Sequence, residues 1–430
     1  MLDPAAEALL MAPLRTVADV AADPGVQRIT QAIQQRCGAG VSAWLVGGAV
    51  RDLLVGVEPR EYDIAIAGDA IGVARQLVDG GGSLLATHDA FGTADIMLSD
   101  GHEHGIRMDL AVLRREEYPT PGALPLVSPV EDIGVDVVRR DVTINALAWQ
   151  ISPQVGEHII DGVGGLSDLG SRTIRVLHDR SFLDDPTRLF RCARYAARFG
   201  EVEAHTVDLA REAVRRGALA TISPARIGHE LDLVMAEQRG ASVAAALQHL
   251  DAWGVVQVVI PDGMQLPVSV PGREGAGDIP HLNMEAADAL RRARWASLCA
   301  GVDRASVKSW LTGLGMHAGD VRMIVALSAA QHQLAERVPV HDLLAADRDI
   351  IAAIDSSWGD HVAGGWIDLW DQAHSFITGR DLHELGMVDG PHMGVVLARV
   401  RARIYDGSIT TRGEALDAAR SMMQQQAEGT

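Results

Sequence analysis

The stretch that decides the fold is WLVGGAVRDLLVG (44–56), followed by EYDIAIAGDA (61–70). The apolar run that ends in Gly47 and Gly48 predicts a strand, a glycine turn and then a helix with apolar residues at helical spacing. Free backbone N–H groups at the start of such a helix attract phosphate, and Arg51 adds a guanidinium nearby. A glycine pair taken alone is more often only a tight turn.

The second segment predicts a strand that carries carboxylates. Glu61 and Asp63 stand two residues apart, and alternate side chains of a strand point to the same face. Two neighbouring carboxylates suit the binding of two divalent cations in nucleotidyl transfer. Asp109, on the apolar segment 104–113, is the natural third carboxylate. For the pair alone, a solvated strand face is the alternative.

The remaining pattern divides the chain into a mixed head and a helical remainder. Helices are predicted over 1–40 and 69–80, and strands are predicted at 42–48, 62–68, 94–99 and 104–113. This alternation makes the first 150 residues α/β or α+β. The Gly- and Asp-rich segment 161–171 is a connector, and helical spacing dominates from Ser181 onward, with breaks at 260–280 and around 386–394.

The composition limits the possible partners and compartment. The 430 residues carry 38 basic and 57 acidic side chains, a formal charge of −19, which excludes a uniformly basic nucleic-acid coat. Lys308 is the single lysine, so arginines must make most phosphate contacts. Three cysteines without CxxC spacing exclude a disulfide framework and a zinc knuckle. Without a signal peptide or an apolar membrane span, we expect a cytoplasmic protein with no membrane partner.

Several motifs together identify a family. The chain resembles the class II CCA-adding enzymes and poly(A) polymerases, a branch of the DNA polymerase beta nucleotidyltransferase superfamily. The resemblance begins with the two segments quoted first. It continues through HDAFGTA (88–94), EEYPTPGALPLV (116–127), RRDVTINALAW (139–149), DGVGGLSDL (161–169), SFLDDPTRLFRCARYAARFG (181–200), ISPARIGHEL (222–231) and ITGRDLHELGMVDGPHMG (377–394).

The resemblance implies a fold, an activity and partners. It implies an α+β architecture, with a nucleotidyltransferase head over 1–150, a helical neck over 151–240 that selects the nucleotide, and a helical body and tail over 241–430 that binds tRNA. The implied reaction is template-independent addition of CMP and/or AMP, from CTP and ATP, to the tRNA 3′ end. Two Mg²⁺ ions on Glu61 and Asp63 would support the release of pyrophosphate. No oligomeric state is implied.

One departure from the family pattern concerns the metal site, where the family usually has Asp-x-Asp. Glu61 and Asp63 fit this motif with Glu in place of Asp, whereas the register that begins at Asp63 places Ala65 at the second position. The first register is preferred because it keeps 68–70 in step with the family. The second would predict an inactive enzyme. Val142, where the family tends to carry an aromatic residue, is expected to affect packing.

The motif DDPTR (184–188) resembles the family's base-selecting motif. Cytosine and adenine both present an amino donor beside a ring-nitrogen acceptor, so the Asp185 carboxylate accepts while Arg188 donates. Uracil and guanine would leave buried groups unpaired. The alternative is a helix salt bridge between Asp185 and Arg188. Asp184 is expected to cap the helix, with Pro186 in its first turn.

Further arginines are expected near the nucleotide. The resemblance implies that Arg140, Asp141 and Asn145 contact the ribose and triphosphate together with Gly47, Gly48 and Arg51. A surface charge cluster is the alternative, and it explains the neighbouring Arg139 better than Arg140. Arg191 and Arg194 either line the same helix face toward phosphate or are solvated charges.

Alternatives to complete CCA addition remain at this point. They are an A-adding or a CC-adding enzyme, a poly(A) polymerase, and a catalytically silent RNA-binding paralogue. Arginine-rich stretches at 188–198, 291–294 and 399–403 are expected to supply a continuous positive path for tRNA on an acidic molecule. His341 and Asp342 are expected to be structural, and Trp44, Trp149 and Trp295 to lie in the core.

Overall fold

The computed structural model describes residues 13–99, 105–237, 240–264, 266, 284–335, 366–388, 390–405 and 407–428. The chain divides into two compact units, one built from Met1–Glu230 with Ala245–Val259 and the other from Leu231–Ala244 with Ile260–Thr430. The His341–Asp342 pair and most of the predicted break at 260–280 lie outside the described residues.

The first unit contains all the strands that the structure describes. They are β1 Ala43–Val46, β2 Tyr62–Ile66, β3 Gly82–His88, β4 Thr93–Leu98, β5 Ile106–Val112, β6 Arg114–Glu117, β7 Leu126–Pro129, β8 Leu147–Ser152, β9 Ile160–Asp161, β10 Thr173–Ile174 and β11 Glu201–Val202.

The helices begin in the first unit and continue through the second. They are α1 Val17–Ala21, α2 Pro24–Arg36, α3 Gly48–Val55, α4 Ala70–Asp79, α5 Ile133–Val137, α6 Gly165–Gly170, α7 Ser181–Asp184, α8 Arg188–Phe199, α9 Ala204–Arg215, α10 Pro224–Met235, α11 Gly240–Ala252, α12 Val256–Val259, α13 Met284–Leu298, α14 Arg304–Gly313, α15 Ala318–Ala335, α16 Trp366–Phe376, α17 Gly379–Glu384, α18 Pro391–Tyr405 and α19 Arg412–Glu428.

A seven-stranded mixed sheet forms the centre of the first unit, in the order β3-β4-β5-β2-β1-β8-β9. Strands β2 and β5 run parallel, and their neighbours in the sheet run antiparallel to them. A sheet with both pairing types, followed by helices, confirms the predicted α+β head and helical remainder. The hairpin of β6 and β7 stands apart from this sheet.

The two faces of β2 are covered differently. Tyr62 points away from Asp63, and its hydroxyl donates to Asp23 (3.1 Å), the residue that caps α2. On the other face, Ala65 packs into an apolar cluster with Trp44, Val137 and others. Asp63 therefore stands at the edge of a packed core rather than on an open strand.

The predicted core positions of three tryptophans are confirmed. The exposed fractions of Trp44, Trp149 and Trp295 are 8%, 1% and 0%.

The structure differs locally from three predictions. The segment 161–171, predicted as a connector, contains helix α6 (Gly165–Gly170). The single helix predicted over residues 1–40 is interrupted, because the Asp23 side chain accepts from the Val26 N–H and Pro24 begins the new helix α2. Strand β3 was not predicted, because the glycines at 80–82 that lead into it indicated only the end of a helix. Most of its residues are exposed at the edge of the sheet.

The second unit is helical throughout its described residues. Its C-terminal helices enclose an apolar cluster that includes Ile377, Leu382, Val400 and Ile404. Thr378 and Asp381 form a capping box at the start of α17, which explains why the helix begins there. Elsewhere in the unit, the buried Arg294 guanidinium donates to the carbonyls of Met235 (2.7 Å) and Glu237, so it caps the C-terminus of α10.

Candidate active site

Three carboxylates stand in a row across the central sheet. The pairing of β2 with β5 places Asp63 beside Asp109, and the pairing of β5 with β4 places Asp95 beside Asp109 on its other side. Burial, together with the charges of Asp63 and Asp95, raises the pKa of Asp109 to about 7. Burial also raises the pKa of Asp63 to about 6, against the opposing charge of Arg140. Carboxylates crowded in this way favour a bound cation.

Glu61 lies on the same face but at the exposed edge. Its carboxylate is 3.4 Å from the Arg107 guanidinium, and both side chains are 49% exposed. Its charge still contributes to raising the pKa values of Asp63 and Asp109. The alternative register would require a carboxylate at Ala65, which is 2% exposed and packed in the apolar cluster. The geometry therefore supports the register with Glu61.

The fit of this row to a divalent cation depends on the donors present. Among the residues that the structure describes, no three His, Cys, Asp or Glu side chains are grouped as metal ligands. Asp63 and Asp109 remain as two adjacent carboxylates. Mg²⁺ is commonly held by one or two carboxylates together with water and substrate phosphates, so these two residues fit it.

The glycine turn lies beside Asp63, at one end of this carboxylate row. Gly47 has a φ of +69°, which side chains with a Cβ rarely adopt. A Cβ there would lie 2.6 Å from Nη1 of Arg140 and 3.4 Å from Oδ2 of Asp63. Gly48 begins α3 directly after it. Gly47 is thus required both for the backbone conformation and for the close approach of Arg140 and Asp63.

Arg51, predicted to hold phosphate, is buried at 4% exposure. Its Nη1 donates to the Asn145 side-chain oxygen, and its Nε donates to Asp52 (2.9 Å). The guanidinium lies 4.2 Å from the centre of the Phe199 ring. The structure therefore brings Arg51 and Asn145 together, and the Arg51 guanidinium lies close to Gly48.

Asp141 connects this group to helix α8. Its Oδ1 accepts from Asn145 (3.0 Å), and its Oδ2 accepts from Arg191 (2.7 Å) and the Tyr195 hydroxyl (3.0 Å). The charge of Arg191 and the hydrogen bond from Asn145 hold the pKa of Asp141 well below its usual range, although burial opposes this. Arg194 is half-buried on the same helix. Arg191, whose side chain is 39% exposed, is paired with Asp141 and is not a free helix charge.

Arg139 and Arg140 point to different places. Arg140 lies against Gly47 and donates to Asp136 (3.0 Å). Arg139 donates to Asp136 (2.9 Å) and to Glu116 (2.7 Å), and only 15% of its side chain is exposed. The interpretation of Arg139 as a surface charge is wrong, because two buried carboxylates enclose it.

The DDPTR segment is arranged differently from the helix salt bridge that was the alternative to base selection. Asp185 pairs with Arg226 (2.8 Å) and also accepts from the Thr187 hydroxyl (2.8 Å). Arg188 instead donates to Ser181 (2.8 Å) and to the backbone carbonyl of Arg139 (2.9 Å). The i,i+3 pair is not formed, since these partners hold the two side chains apart.

The predicted role of Asp184 as a helix cap is also wrong. Asp184 ends the short helix α7 and pairs with Arg180 (2.9 Å), whereas Thr187 occupies the N-cap position of α8. Pro186 consequently precedes the helix. Asp184 lines a cavity of about 290 Å³ with Arg188 and Tyr118, among others.

Some residues that shape the site were not predicted from the sequence. Arg226 contacts Asp185 although 41 residues separate them, and Tyr195 contacts Asp141 across 54 residues. Asp136, which stands three residues before Arg139, is 1% exposed. The available sign of Asp136 in the sequence was an aspartate within the apolar stretch 133–138, just before the arginine pair. Val142, 1% exposed and bridged to Val176, packs in the core as expected.

The arginines expected to supply a positive path for tRNA differ in exposure and pairing. Arg291 pairs with Asp232 (2.6 Å) and Asp320 (3.2 Å), and Arg292 also pairs with Asp320 (2.7 Å). Arg294 is 1% exposed. The prediction that 291–294 contacts RNA is therefore wrong for Arg294. In the third stretch, Arg399 and Arg403 are exposed.

Comparisons with known proteins place this geometry in a class. The model of the Poly A polymerase head domain matches residues 43–175, which contain the glycine turn and the carboxylate row. The fold is similar to the structure of CCA-adding enzyme apo form II (TM-score 0.67, 24% identity, 96% of this chain and 100% of that chain). It is also similar to the Thermotoga maritima CCA-adding enzyme complexed with tRNA_CCA (0.61, 23%, 97% and 98%). The fold is thus that of a nucleotidyltransferase head followed by helices.

The sequence relatives define the family. The chain is 32% identical over 399 residues to the CC-adding tRNA nucleotidyltransferase of Deinococcus radiodurans, covering 91% of this chain and 92% of that protein. It therefore belongs to the family of tRNA nucleotidyltransferases that carry a poly(A) polymerase head. It is also 37% identical to the A-adding enzymes of Geobacter sulfurreducens over 225 residues and Halalkalibacterium halodurans over 218 residues. These matches cover about half of this chain (52% and 50%), but only 25% and 49% of the A-adding relatives.

One further observation concerns membranes. None of the helices in the described part of the chain combines the length and apolar character needed to cross a bilayer.

Proposed function

We propose that this chain is a tRNA nucleotidyltransferase that adds CMP, AMP or both, from CTP and ATP, to the 3′ end of tRNA. The observation that carries the proposal is the pairing of Asp63 with Asp109 directly beside the turn at Gly47. This arrangement provides anionic metal ligands next to a phosphate-attracting helix start. Free cysteines, two of them buried, suit the reducing cytoplasm in which we place this activity.

The residues around the turn have separate tasks in this proposal. Backbone groups at Gly47 and Gly48, together with Arg140, orient the triphosphate. The shape and the charge of the pocket are maintained by Arg51, Asp141, Asn145, Arg191 and Arg194. Magnesium held by Asp63 and Asp109, with Glu61 at the exposed edge of the site, would stabilise charge on the transferred phosphoryl group and on pyrophosphate. The terminal 3′ hydroxyl of tRNA then loses its proton to solvent, its oxygen bonds to the α-phosphorus, and the bond from the α-phosphorus to pyrophosphate breaks.

Selection of the base is assigned to Asp185 and Arg188. Arg188 is fixed by Ser181 and by the Arg139 carbonyl, and Asp185 is fixed by Arg226. A rigid acceptor and a rigid donor suit the amino group and ring nitrogen shared by cytosine and adenine. Because each side chain is anchored by its own partner, it does not need to reorganise to meet the base.

The three parts of the chain are assigned accordingly. The proposed nucleotide contacts all fall within the head (1–150) and the neck (151–240). We assign the body and tail (241–430) to the grip on the tRNA acceptor end, with Arg399 and Arg403 as exposed cations on α18.

The nucleotides added are defined by direct assay. The protein is incubated with tRNA that ends before CCA, after the first C and after CC, with each labelled triphosphate in turn. Incorporation only of C, only of A, or of both separates the three tRNA activities. Similar extension of an unrelated RNA oligonucleotide with ATP would instead indicate a poly(A) polymerase. Asp63→Asn is expected to abolish incorporation, and the exposed Asp79→Asn on α4 to leave it unchanged.

A second candidate rests on Glu61. Because its carboxylate faces Arg107, a catalytically silent RNA-binding paralogue would retain the fold without a complete metal site. Binding of tRNA without any incorporation, with either Mg²⁺ or Mn²⁺, would support this candidate over the enzyme. Loss of incorporation in Glu61→Ala would support the metal assignment.

A further inference from the structure

One buried carboxylate contacts both arginines that precede Asp141. Asp136, on the short helix α5, is 1% exposed. Its Oδ1 accepts from Nε (2.9 Å) and Nη2 (2.8 Å) of Arg139 and from the Arg114 backbone N–H (3.2 Å). Its Oδ2 accepts from Nη2 of Arg140 (3.0 Å). Both oxygens are therefore engaged, and each holds a different arginine.

The first connection leads to the glycine turn. Nη2 of Arg140 is held by Asp136, while Nη1 lies 2.6 Å from the position that a Cβ on Gly47 would occupy. The buried Nε of Arg140 has no hydrogen-bond partner within the described residues. Asp136 is thus the anchor that directs this guanidinium toward the turn and toward Asp63. The positive charge of Arg140 there counteracts the rise that burial causes in the pKa of Asp63.

The second connection leads to the base-selecting side of the site. Asp136 and Glu116 hold the Arg139 side chain from two directions. The carbonyl of the same residue accepts from Nη2 of Arg188 (2.9 Å). Displacing Arg139 would therefore weaken one of the three hydrogen bonds that anchor Arg188, leaving those to Ser181 (2.8 Å) and to the Tyr118 hydroxyl (3.5 Å).

The charge balance favours this arrangement. Burial alone would raise the pKa of Asp136, but the charges of Arg140 and Arg139 bring it below its usual value. A buried carboxylate is tolerated only with such partners, and the partners in turn depend on it. The three residues therefore keep one arrangement, as a rigid support requires.

We propose that Asp136 is a positioning residue that couples triphosphate binding through Arg140 to base selection through Arg188. The inference rests on the proposed function and extends it to a residue that touches neither the triphosphate nor the base. Because Arg140 would contact the triphosphate before and during transfer, loss of its anchor raises KM more than it lowers kcat. Displacement of a binding group by about 1 Å can cost up to about 100-fold.

The test is a double-mutant cycle on Asp136 and Arg140. Asp136→Asn is expected to raise KM for CTP or ATP by about 10- to 100-fold, with kcat changed by less than about threefold. It should also lower the preference for these nucleotides over UTP. After Arg140→Met, the further change Asp136→Asn should leave KM almost unaffected, because its effect is transmitted by Arg140. If Asp136→Asn does not fold, Asp136→Glu takes its place in the cycle.

The matched control is Asp381→Asn, which removes another buried carboxylate paired with an arginine, Arg412, in the second unit. It should lower thermal stability without raising KM for the nucleotide. If the KM effects of Asp136 and Arg140 are additive, or if Asp136→Asn behaves like the control, this inference is overturned while the proposed function stands. If the wild-type chain transfers no nucleotide, the proposed function fails, and the inference fails with it.

Discussion

Asp63 and Asp109 lie side by side on two parallel strands, on a face of the sheet that continues into packed core. Burial raises both pKa values, and the charge of Asp63 adds to the rise at Asp109, so the fold keeps two carboxylates where neither ionises easily. Such a pair costs stability in the absence of a cation, and it concentrates negative charge where a metal–triphosphate complex would bind. The other proposed site residues surround this pair.

The glycine turn gives the first prediction. Gly47→Ala must place a Cβ at 2.6 Å from Arg140 and adopt a φ of +69°. We expect triphosphate affinity to fall by about 10-fold or more, in addition to a stability loss of about 1–3 kcal/mol. Calorimetric titration with ATP and CTP, together with thermal unfolding, measures both effects. Gly38→Ala is the control, since Gly38 has a φ of +75° with open space around it, and it should lose stability only.

The anchor of Asp185 gives the second prediction. Arg226→Ala removes its ion pair and also a hydrogen bond to the Gly122 carbonyl (2.9 Å). We expect discrimination of CTP and ATP against UTP to fall several-fold, because the released carboxylate can reorient. The ratio of kcat/KM values measures this. Arg215→Ala, at an exposed pair with Glu212, should leave the ratio unchanged, and equal ratios in both variants would contradict the role of Arg226.

The Asp141 cluster gives a prediction on pH. Its native pKa is depressed, so its contribution to stability is fully present above the unfolded value of about 3.9 and is lost as pH falls below it. Asp141→Asn, which leaves Arg191 without its carboxylate, should cost about 3 kcal/mol at pH 7. Urea unfolding should show this difference constant from about pH 8 to 5 and shrinking below about pH 4. A difference that does not change with pH would contradict the assignment.

The cap of α10 gives a prediction confined to the second unit. Arg294→Met leaves the carbonyls of Met235 and Glu237 without their buried donor. We expect a loss of about 2–4 kcal/mol in unfolding free energy, with ATP and CTP affinity unchanged. The exposed Arg322→Met is the matched control, with an expected change below about 0.5 kcal/mol. A weakened affinity for free nucleotide would contradict a purely structural role of Arg294.

The sequence predicted what depends on local pattern. The turn at Gly47 and Gly48 and the strand with Asp63 follow from glycine conformation and strand alternation, and Asp109 was placed by its strand. The contacts between distant segments were not predictable in this way. Asp185 was expected to accept from the base, with a salt bridge to Arg188 as the alternative. Its ion pair with Arg226 was not predicted, because it depends on the loop before α8, which turns the carboxylate toward α10.

Burial of charge was the other unpredicted element. Arginine is usually a surface residue. Here, however, Arg139 is enclosed by Asp136 and Glu116, and Arg294 is enclosed by the C-terminal end of a helix. Neither partner is evident from periodicity, because each depends on how helices and strands pack. The long-range arrangement of ion pairs therefore required the structure.

The most direct test of the proposed activity compares wild type with Asp109→Asn. Both are assayed for transfer of labelled CMP and AMP, with Mg²⁺, to tRNA that lacks its terminal nucleotides. We predict Mg²⁺-dependent transfer by the wild type and a rate lower by about 100-fold or more in the variant. Because the amide removes a buried charge, the thermal stability of the variant should be equal or higher. Transfer by Asp109→Asn within a few-fold of the wild-type rate would contradict the account.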